Sequence, residues 1–518
     1  MRKNHRNQVL RIWLMLFLAI VVTYAFFLWE GHTDFNLADE GFFWYGVQQV
    51  MHGEVPIRDF MAYDPGRYYW SSALLSLWHV HGIIALRVTA AIFQALGVFI
   101  GLIALARTAT KQGSCWWLLV AFTLTLWMNP WFKVFDICCA IALIGVFALL
   151  IEQPSYPRYF FAGFIVGVVA IFGRNHGVYG VLASLGVMVY LAIANKNRLA
   201  FFKILTTWSI GIVVGYLPVL LMVALIPGFA KAFWESILFL FRVKATNIAL
   251  PIPWPWHFLN LQTSLEHVLS GVLLGGFFIA IVSFGVFGII WVIRERLNQR
   301  PVSSVLVATV FLALPYAQYA YSRADVVHLA LGITPFLMGS FAILADQVAK
   351  IKWRLGLFLC GASLFVVLPA HPGWLCHVQQ CVKADVAGDQ LEVTPGEAGA
   401  LTMLTKLTAR FAPDNRNILV APFWPGAYAV MQRKSPMWGI YALFPSTKES
   451  EQAEIERIKM ADPGYALIIN SGLDGRNELR FRNTHSLIYQ YIVDHFTRVD
   501  GLTLNPEYQL YINKQTVQ

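Results

Sequence analysis

Charged residues are scarce in this sequence. Asp, Glu, Lys and Arg make up 13% of its 518 residues, about half of the roughly 25% that soluble globular chains contain. This composition argues against a soluble enzyme, and most of the chain is expected to lie in lipid. The net charge of +10 comes from short basic clusters between apolar runs, without the continuous basic face that binds nucleic acid. No nucleic-acid partner is therefore predicted.

The familiar nucleotide and metal motifs are missing too. The sequence contains no GxxxxGKS or GxxxxGKT, no HExxH, no paired CxxC and no GxGxxG pattern. Nucleotide-driven pumping and zinc chemistry, which use these patterns, therefore lack support. The sequence also has no N-x-S/T sequon, which is consistent with a bacterial inner membrane.

Long apolar runs are abundant from Val9 to about His371. A helix needs about 20 apolar residues to cross a bilayer, and eleven runs are predicted as spans. They cover residues 9–29, 82–106, 115–131, 134–151, 159–173, 177–194, 204–226, 267–291, 303–320, 326–346 and 355–371. The first run is too long for a signal peptide and lacks a cleavage site, so it is predicted to be an uncleaved anchor.

The basic residues predict the orientation of these spans. With a cytoplasmic N-terminus, the inner loops are short and basic, as the positive-inside rule requires. They hold Arg107, Lys111, Arg158, Lys196, Arg198, Lys203, Arg294, Arg296, Arg300, Lys350, Lys352 and Arg354. An odd number of spans then places residues 372–518 outside, together with the long loops 30–81 and 228–265. We therefore expect a membrane domain at 1–371 and a periplasmic domain at 372–518.

The tail after Pro372 is predicted to be a small α/β domain. Strand-like runs at 417–421, 465–469 and 508–512 alternate with helix-like stretches near 396–411, 448–459 and 487–496. Cys376 and Cys381 are close enough in sequence to form a local disulfide on the oxidising side. Within the membrane domain, the pairs Gly97/Gly101, Gly163/Gly167 and Gly211/Gly215 have the small-xxx-small spacing that lets helices approach closely.

The first outer loop concentrates acids and aromatics. Residues 39–51 are predicted to form a surface helix that places Phe42, Phe43 and Trp44 against lipid. Asp39 either caps this helix or serves as a general base for an acceptor hydroxyl at the membrane surface. The loop also supplies Glu40, Asp59, Asp64, Arg67 and Tyr68 as candidate site residues.

Two later junctions between spans carry charges where lipid-facing residues should be apolar. These junctions are Arg174-Asn-His176-Gly-Val-Tyr179 and Arg323-Ala-Asp325-Val-Val-His328, and such residues usually face a polar cavity or a partner. Arg87, Lys133, Asp136, Arg242 and Lys244 are predicted on the same side. Taken singly, Arg87 and Lys133 are best explained as interfacial anchors. Trp254 and Trp256 form either an aromatic lip for a sugar or isoprenoid, or an ordinary interfacial belt.

At these residues the chain resembles the GT-C superfamily of polytopic glycosyltransferases, in the branch of protein O-mannosyltransferases and bacterial lipid A aminoarabinose transferases. The resemblance rests on Asp39-Glu40, on the Asp-Pro-Gly-Arg-Tyr-Tyr-Trp run ending at Trp70, on the two junctions, and on Pro422-Phe-Trp-Pro-Gly426. It implies a GT-C-like helical membrane fold and an inverting transfer from a polyprenyl-phosphate sugar to a glycan, lipid or protein acceptor.

The resemblance also implies residue roles. Asp39 takes the general-base role, and Glu40 supports it or helps Asp39 to hold a divalent cation. Arg67, Arg174, Arg323, Arg242 and Lys244 bind the donor phosphate. The substrate contacts are Asp59, Asp64, Tyr68, His176, Tyr179, Asp325, His328, Trp254 and Trp256. Aminoarabinose transferases have a lysine before paired prolines where this chain has Asp64-Pro65-Gly66, so phosphate contact must pass to the arginines.

Two other functions remain open from the sequence. A transporter of lipid-linked sugar or polysaccharide also needs a charged cavity, although no internal repeat of the kind common in transporters is visible. A catalytically silent relative of the same superfamily would bind lipid-linked sugar as an assembly subunit.

Overall fold

The computed structural model describes residues 2–109, 112–193, 198–243, 247–259, 264–501 and 505–514 of the chain. Three of the predicted basic residues, Lys111, Lys196 and Lys244, lie outside these ranges. Helices dominate the described residues, and strands occur only after Gln379.

The helices are α1 Arg2–Glu30, α2 Asp39–Met51, α3 Gly66–Trp78, α4 Ile83–Thr108, α5 Ser114–Leu126, α6 Val134–Glu152, α7 Tyr156–Phe172, α8 Arg174–Ala192, α9 Arg198–Gly215, α10 Leu217–Leu225, α11 Phe229–Val243, α12 Leu265–Leu297, α13 Ser304–Ser322, α14 Val326–Gly332, α15 Thr334–Ala345, α16 Ala349–Val367, α17 Pro372–Gln379, α18 Pro395–Phe411, α19 Gly426–Met431, α20 Lys448–Ala461, α21 Phe481–Thr484 and α22 Ser486–His495. The strands are β1 Val382–Val386, β2 Asp389–Val393, β3 Ile418–Ala421, β4 Tyr465–Ile469, β5 Phe496–Val499 and β6 Tyr508–Asn513.

The apolar helices support a multi-pass membrane protein. In the described residues, seven helices are long and apolar enough to cross a bilayer, and two bent pairs, α9 with α10 and α14 with α15, raise the number to nine. The two remaining predicted spans correspond to the shorter apolar helices α5 and α7. Each bend comes just before a proline, Pro218 or Pro335, and proline cannot continue the backbone hydrogen bonding of the helix before it.

Contacts divide the chain into two compact units at positions other than residue 371. Unit 1 contains Met1–Trp29, Ala90–Ile226 and Ala245–Trp374, and it includes most of the apolar helices. Unit 2 contains Glu30–Thr89, Pro227–Lys244 and Leu375–Gln518. The first outer loop therefore belongs to the same unit as the C-terminal tail.

Glycines hold α7 and α9 together in unit 1, as their spacing predicts. A Cβ atom placed on Gly163 or Gly167 would lie 2.0 or 2.3 Å from a backbone oxygen of α9, and one on Gly211 or Gly215 would lie 2.2 or 2.1 Å from a backbone oxygen of α7. Only hydrogen fits in these gaps. The same close packing brings Gly97 of α4 against Cys138 of α6.

Two small sheets form the β part of unit 2. One has the strand order β3-β4-β6-β5, with β3 parallel to β4 and the other pairs antiparallel, and the second is the β1-β2 hairpin. All residues of β3 and β4 are buried. The three predicted strands and three predicted helices of the tail are confirmed within a few residues, whereas β1, β2 and β5 were not predicted.

Helix α2 begins and ends where the sequence predicts, but its surroundings differ. Phe42, Phe43 and Trp44 are at most 2% exposed, because α2 packs against α3 and α19 of the same unit. Gly41 of α2 meets Gly426 of α19 so closely that a Cβ would lie 2.3 Å from the Gly426 Cα atom. The prediction that these three aromatics face lipid is therefore wrong.

Candidate functional site

A buried ion pair lies at the start of α2. Arg87 donates from Nε and Nη2 to Glu40 Oε1 at 2.9 and 2.7 Å, and the two side chains are 4% and 3% exposed. The backbone N–H of Asn36 donates to Glu40 Oε2. Burial raises the pKa of Glu40, and Arg87 opposes that rise. Both carboxylate oxygens of Glu40 thus already accept hydrogen bonds, and Arg87 is not the interfacial anchor that the sequence favours.

The same guanidinium fixes the loop that precedes α2. Arg87 Nη1 donates to the carbonyl oxygens of Gly31 and Thr33, and Nη2 donates to that of Asp34, over 2.7 to 3.0 Å. One buried side chain thus supplies hydrogen bonds to three backbone carbonyls within four residues of the loop, where unpaired carbonyls would be costly. The position of α2 is therefore anchored from its first turn.

Asp39 differs from Glu40 in both exposure and partners. Its side chain is partly exposed, and no hydrogen bond or ion pair joins its carboxylate to another described residue. The capping role belongs to Asn36, whose Oδ1 accepts from the N–H groups of Ala38 and Asp39 at 2.8 and 3.0 Å. The simple alternative for Asp39, a helix cap, is therefore wrong. A carboxylate that is held on a fixed helix and accepts no hydrogen bond from another described residue is suited to proton transfer.

The segment around Arg67 is more buried than expected. Arg67 is 4% exposed and lies over the ring of Tyr63, with 4.7 Å between the guanidinium carbon and the ring centroid. Tyr68 is fully buried, and its hydroxyl accepts from the backbone N–H of Tyr63. This burial gives Tyr68 a packing role and argues against substrate contact.

Asp59 and Arg58 form a local turn near the end of α2. Asp59 Oδ2 accepts from the N–H of Val55 and from Arg58 Nη2, both at 2.7 Å. A carboxylate with these partners is suited to holding the turn. Asp64 and Arg67 lie nearby in sequence at the start of α3, and Arg242 is exposed at the end of α11, also in unit 2.

A buried polar cluster lies between α6, α8 and α13 in unit 1. His176 Nε2 is 2.8 Å from Asp136 Oδ1, and His176 Nδ1 is 2.9 Å from the Tyr316 hydroxyl. All three side chains are at most 2% exposed. His176 is thus a link between three helices, and direct substrate contact through its ring would require these bonds to break.

The cluster continues toward exposed residues. Tyr179 donates to Gln318 Oε1 at 2.5 Å. The ring of Tyr319 lies 5.7 Å from that of His176 and 6.4 Å from that of His328. The two junctions identified from the sequence are therefore brought together through Tyr319, within one unit.

The second junction has its own hydrogen-bond network. Asp325 caps α14 through the N–H of His328 and contacts His328 Nδ1, both at 2.8 Å, while Arg323 Nε donates to Asp325 Oδ2 at 3.1 Å. Asn247 Nδ2 lies 2.7 Å from His328 Nε2. Both ring nitrogens of His328 are therefore engaged, Nδ1 with Asp325 and Nε2 with Asn247.

The other predicted site residues are placed separately. Arg174 is half-buried at the first position of α8. Trp254 and Trp256 stack on each other with ring centroids 5.2 Å apart, and Trp256 is 58% exposed. Cys376 and Cys381 form a disulfide. In the described part of the chain, no group of three His, Cys, Asp or Glu side chains is arranged to hold a metal ion.

Sequence reasoning missed several members of these networks. Tyr316, Gln318 and Tyr319 lie in an apolar span and carry no motif, although three polar residues in four positions of a membrane helix are unusual. Asn247 gave no signal. Arg87 was noticed, but its partner could not be predicted because 47 residues separate it from Glu40.

No family model matches the chain, and no curated protein sequence matches it. Among solved structures, the chain is similar to ArnT from Cupriavidus metallidurans bound to undecaprenyl phosphate, with 11% identity, a TM-score of 0.49, and coverage of 96% of this chain and 97% of ArnT. It is also similar to the Archaeoglobus fulgidus oligosaccharyltransferase tethered to an acceptor peptide, with 11% identity, a TM-score of 0.49, and coverage of 98% and 74%. At these TM-scores, the function has to be argued from the residues of this chain.

Proposed function

We propose that the protein is a membrane glycosyltransferase of the GT-C type. It transfers a sugar from a polyprenyl-phosphate donor to an extracytoplasmic glycan, lipid or protein acceptor, and Asp39 is its general base. The observation that carries the proposal is the contrast at the start of α2. Glu40 is buried and paired with Arg87, whereas the adjacent Asp39 carboxylate is accessible and has no partner among the described residues.

The proposed step balances as an inverting displacement. Asp39 takes the proton from an acceptor hydroxyl, and the acceptor oxygen forms a bond to the anomeric carbon. The bond between that carbon and the phosphate oxygen breaks, and the lipid phosphate leaves with the electron pair. Cations that stabilise the developing negative charge lower the barrier.

Arg174 and Arg323 are the favoured cations for the lipid phosphate. Both are partly exposed, and both stand at the ends of apolar helices in unit 1, where a lipid headgroup would lie. A planar guanidinium can bind two phosphate oxygens at once. Arg67 is a weaker candidate because it is buried. The proposed donor is of the same lipid class as the undecaprenyl phosphate bound to ArnT.

Asp39→Asn tests the proposal. Loss of a general base typically lowers the rate by about 10²- to 10⁴-fold, so the variant should lose transfer while its expression and folding are retained. Asp414→Asn is a matched control, because Asp414 is an exposed acid of the same unit with no partner among the described residues. The measurement is mass spectrometry of surface glycans and glycolipids from cells that contain the wild type, either variant, or no protein. Wild-type glycans in the Asp39→Asn cells would remove Asp39 from the mechanism.

A transporter remains a second candidate because two apolar helix pairs are bent by 57° and 58°. Broken helices are common at transporter binding sites, but Pro218 and Pro335 already account for these bends. Purified protein in vesicles separates the two functions. Movement of a lipid-linked sugar without a new glycosidic bond would support transport, and donor binding without transport or turnover would support a silent assembly subunit.

The proposed location is a bacterial inner membrane, with a cytoplasmic N-terminus and a periplasmic tail. A membrane-impermeant thiol reagent tests this orientation through a cysteine placed at exposed Asp414. Labelling in spheroplasts without lysis is expected. Labelling only after lysis would reverse the orientation and place Asp39 on the cytoplasmic side.

A further inference from the structure

Helix α2 carries Phe42 on the same side as Asp39, because residues three positions apart are neighbours on the surface of an α-helix. Phe42 is 2% exposed, and two tyrosines cover it. The centroid of its ring lies 4.9 Å from that of Tyr63 and 5.7 Å from that of Tyr441. Both tyrosines and Asp39 are themselves partly exposed. Two accessible aromatic side chains therefore lie on the side of α2 that carries the proposed base.

Tyr63 is held by the start of α3. Its backbone N–H donates to the Tyr68 hydroxyl at 3.1 Å, and the buried guanidinium of Arg67 lies over its ring, 4.7 Å from the centroid. A cation over an aromatic face is attracted to it, so this contact restrains the orientation of the ring. Tyr63 is therefore fixed both through its backbone and through its side chain.

Tyr441 comes from the C-terminal tail, and its segment is joined to the same loop. Trp438 donates from Nε1 to the Ile57 carbonyl at 3.1 Å, and the Met61 N–H donates to the Trp438 carbonyl at 2.9 Å. Met61 precedes Tyr63 by two residues, and Trp438 precedes Tyr441 by three. The hydrogen bonds between these two segments therefore bring together two tyrosines that are distant in the sequence.

Glu454 of α20 holds the tail side of this arrangement. Its Oε2 accepts from the Trp438 N–H at 2.9 Å and its Oε1 accepts from the Gly439 N–H at 3.0 Å. Glu454 is 5% exposed, and Arg457 lies 3.1 Å from its Oε2. Hydrogen bonds to a carboxylate are stronger than those between neutral groups. The position of the Tyr441 segment is thus set before any ligand binds, which lowers the entropic cost of binding.

We propose that Tyr63 and Tyr441 form a binding subsite for a sugar ring of the acceptor. The inference rests on the proposed function, and it selects a saccharide from the three acceptor classes named there. A general base takes its proton from the acceptor hydroxyl, so the ligand on the Asp39 side of α2 is the acceptor. A sugar ring has apolar C–H faces and a rim of hydroxyls, and a tyrosine matches both with an apolar ring and a polar tip.

The charges around the two tyrosines favour a sugar over an acyl chain. Asp39 is partly exposed on the same side of α2, and Asp64, also partly exposed, follows Tyr63 in the chain. An acyl chain would remove water from these carboxylates and offer no hydrogen bond in return, which is costly. Sugar hydroxyls can donate to carboxylates. The C-terminal tail thus gains a role in this proposal, because it supplies one of the two tyrosines.

Photocrosslinking in cells identifies the ligand of this subsite. The photoreactive analogue p-benzoylphenylalanine replaces Tyr441 in the full-length protein, the cells are irradiated, and the purified protein is digested and analysed by mass spectrometry. The peptide that contains position 441 should carry a saccharide adduct. The same analogue in place of Tyr491 is the control, because Tyr491 is a partly exposed tyrosine of the same unit that packs against His495 in α22. It should give no saccharide adduct.

Three crosslinking results would overturn the proposal. They are adducts with acyl chains alone or with peptides alone, equal saccharide adducts at positions 441 and 491, and no adduct at all. If the analogue at position 441 prevents folding, the same experiment is carried out with the analogue in place of Tyr63, and the same results decide it. Saccharide adducts on a protein that transfers no sugar would retain the subsite and refute the proposed function instead.

A titration with acceptor separates binding from catalysis. Membranes that contain each variant and their own lipid-linked donor receive increasing amounts of the glycan and glycolipid extract of cells that lack the protein. At low extract, Tyr441→Leu should transfer about threefold to tenfold less sugar than the wild type, as expected for the loss of one aromatic contact. Transfer should approach the wild-type rate at high extract, whereas Asp39→Asn should not recover. Tyr491→Leu is the control and should behave like the wild type.

Tyr441→Phe provides a second variant if Tyr441→Leu folds poorly. It keeps an aromatic ring against Phe42 and removes only the hydroxyl, so its loss at low extract should be smaller and should also disappear at high extract. Unchanged transfer by both variants at every amount of extract would overturn the proposal. A loss that no amount of extract restores would also overturn it, because Tyr441 would then act on the fold or on the chemical step and not on acceptor binding.

Discussion

The buried Glu40–Arg87 pair should be among the most costly contacts to break in unit 2. Glu40→Gln leaves the guanidinium buried without a counter-charge, which costs about 3 to 5 kcal/mol. Arg87→Met leaves Glu40 as an unpaired buried carboxylate and also removes the donors to three loop carbonyls. At about 1 kcal/mol for each of these hydrogen bonds, the total for Arg87→Met is roughly 6 to 8 kcal/mol.

The double variant Glu40→Gln/Arg87→Met separates the charge effect from the loss of hydrogen bonds. No buried charge remains in it, so its destabilisation should be smaller than that of Arg87→Met alone. For a unit of 150 to 250 residues, 1 kcal/mol corresponds to about 2 to 4 °C in Tm. Glu40→Gln should therefore lower the apparent Tm by about 6 to 20 °C.

The assay is the fraction of monodisperse protein that remains in detergent after heating, followed by size-exclusion chromatography. Asp500→Asn is the control, because the ion pair of Asp500 with Arg498 is exposed and such pairs contribute little. The reasoning is refuted if Glu40→Gln shifts the apparent Tm no more than Asp500→Asn does. It is also refuted if the shifts of the single variants simply add in the double variant.

Two further predictions address acid stability and helix packing. Burial lowers the pKa of His485, which stacks on Phe481, to about 4. Folding stability should therefore fall as the pH drops from about 6.5 to 4, by at most about 1.4 kcal/mol per pH unit. His485→Phe should flatten this part of a Tm-against-pH curve, and an unchanged slope would assign the acid sensitivity to other residues. Gly163→Ala should destabilise the α7–α9 contact by about 1 to 3 kcal/mol through overpacking. Gly276→Ala in α12, with nothing within 4 Å of its Cβ position, should be neutral or stabilising when heat resistance is measured. Equal losses of heat resistance in both variants would contradict the packing role of Gly163.

The helical part of the fold could largely be predicted from the sequence because apolar runs and glycine spacings are local sequence patterns. Hydropathy identified all eleven apolar segments, and glycine spacing identified the α7–α9 contact from both sides. Two spans were assigned as continuous although they bend. Proline marks these bends, but hydropathy is averaged over many residues, so a single proline does not interrupt an apolar run.

The β1-β2 hairpin shows where local signals end. Its turn places Ala387 and Gly388 at φ of 53° and 97°, a conformation for which Asn-Gly or Asp-Gly is the usual signature. The strand residues alternate without a strong apolar face, since only Val386, Leu391 and Val393 are buried. The hairpin is stabilised in part by pairing with residues 32–34 of the first loop. About 350 residues separate the two segments, and no pattern in either of them predicts this contact.

Prediction of the site from the sequence was limited in the same way, because its decisive contacts join residues that are distant in the sequence. Asp39 and Glu40 are adjacent acids at the start of one helix, and their order alone does not say which one is buried and which one is partly exposed. The distinction comes from Arg87, which reaches Glu40 from α4, and from Asn36, which takes over the cap. Since a helix rotates successive side chains by about 100°, burying one of two neighbouring residues turns the other away from the core. The ion pair that buries Glu40 is therefore also what turns Asp39, the proposed general base, away from the core, and a variant that releases Glu40 should disturb the position of Asp39 even though the Asp39 carboxylate itself is untouched.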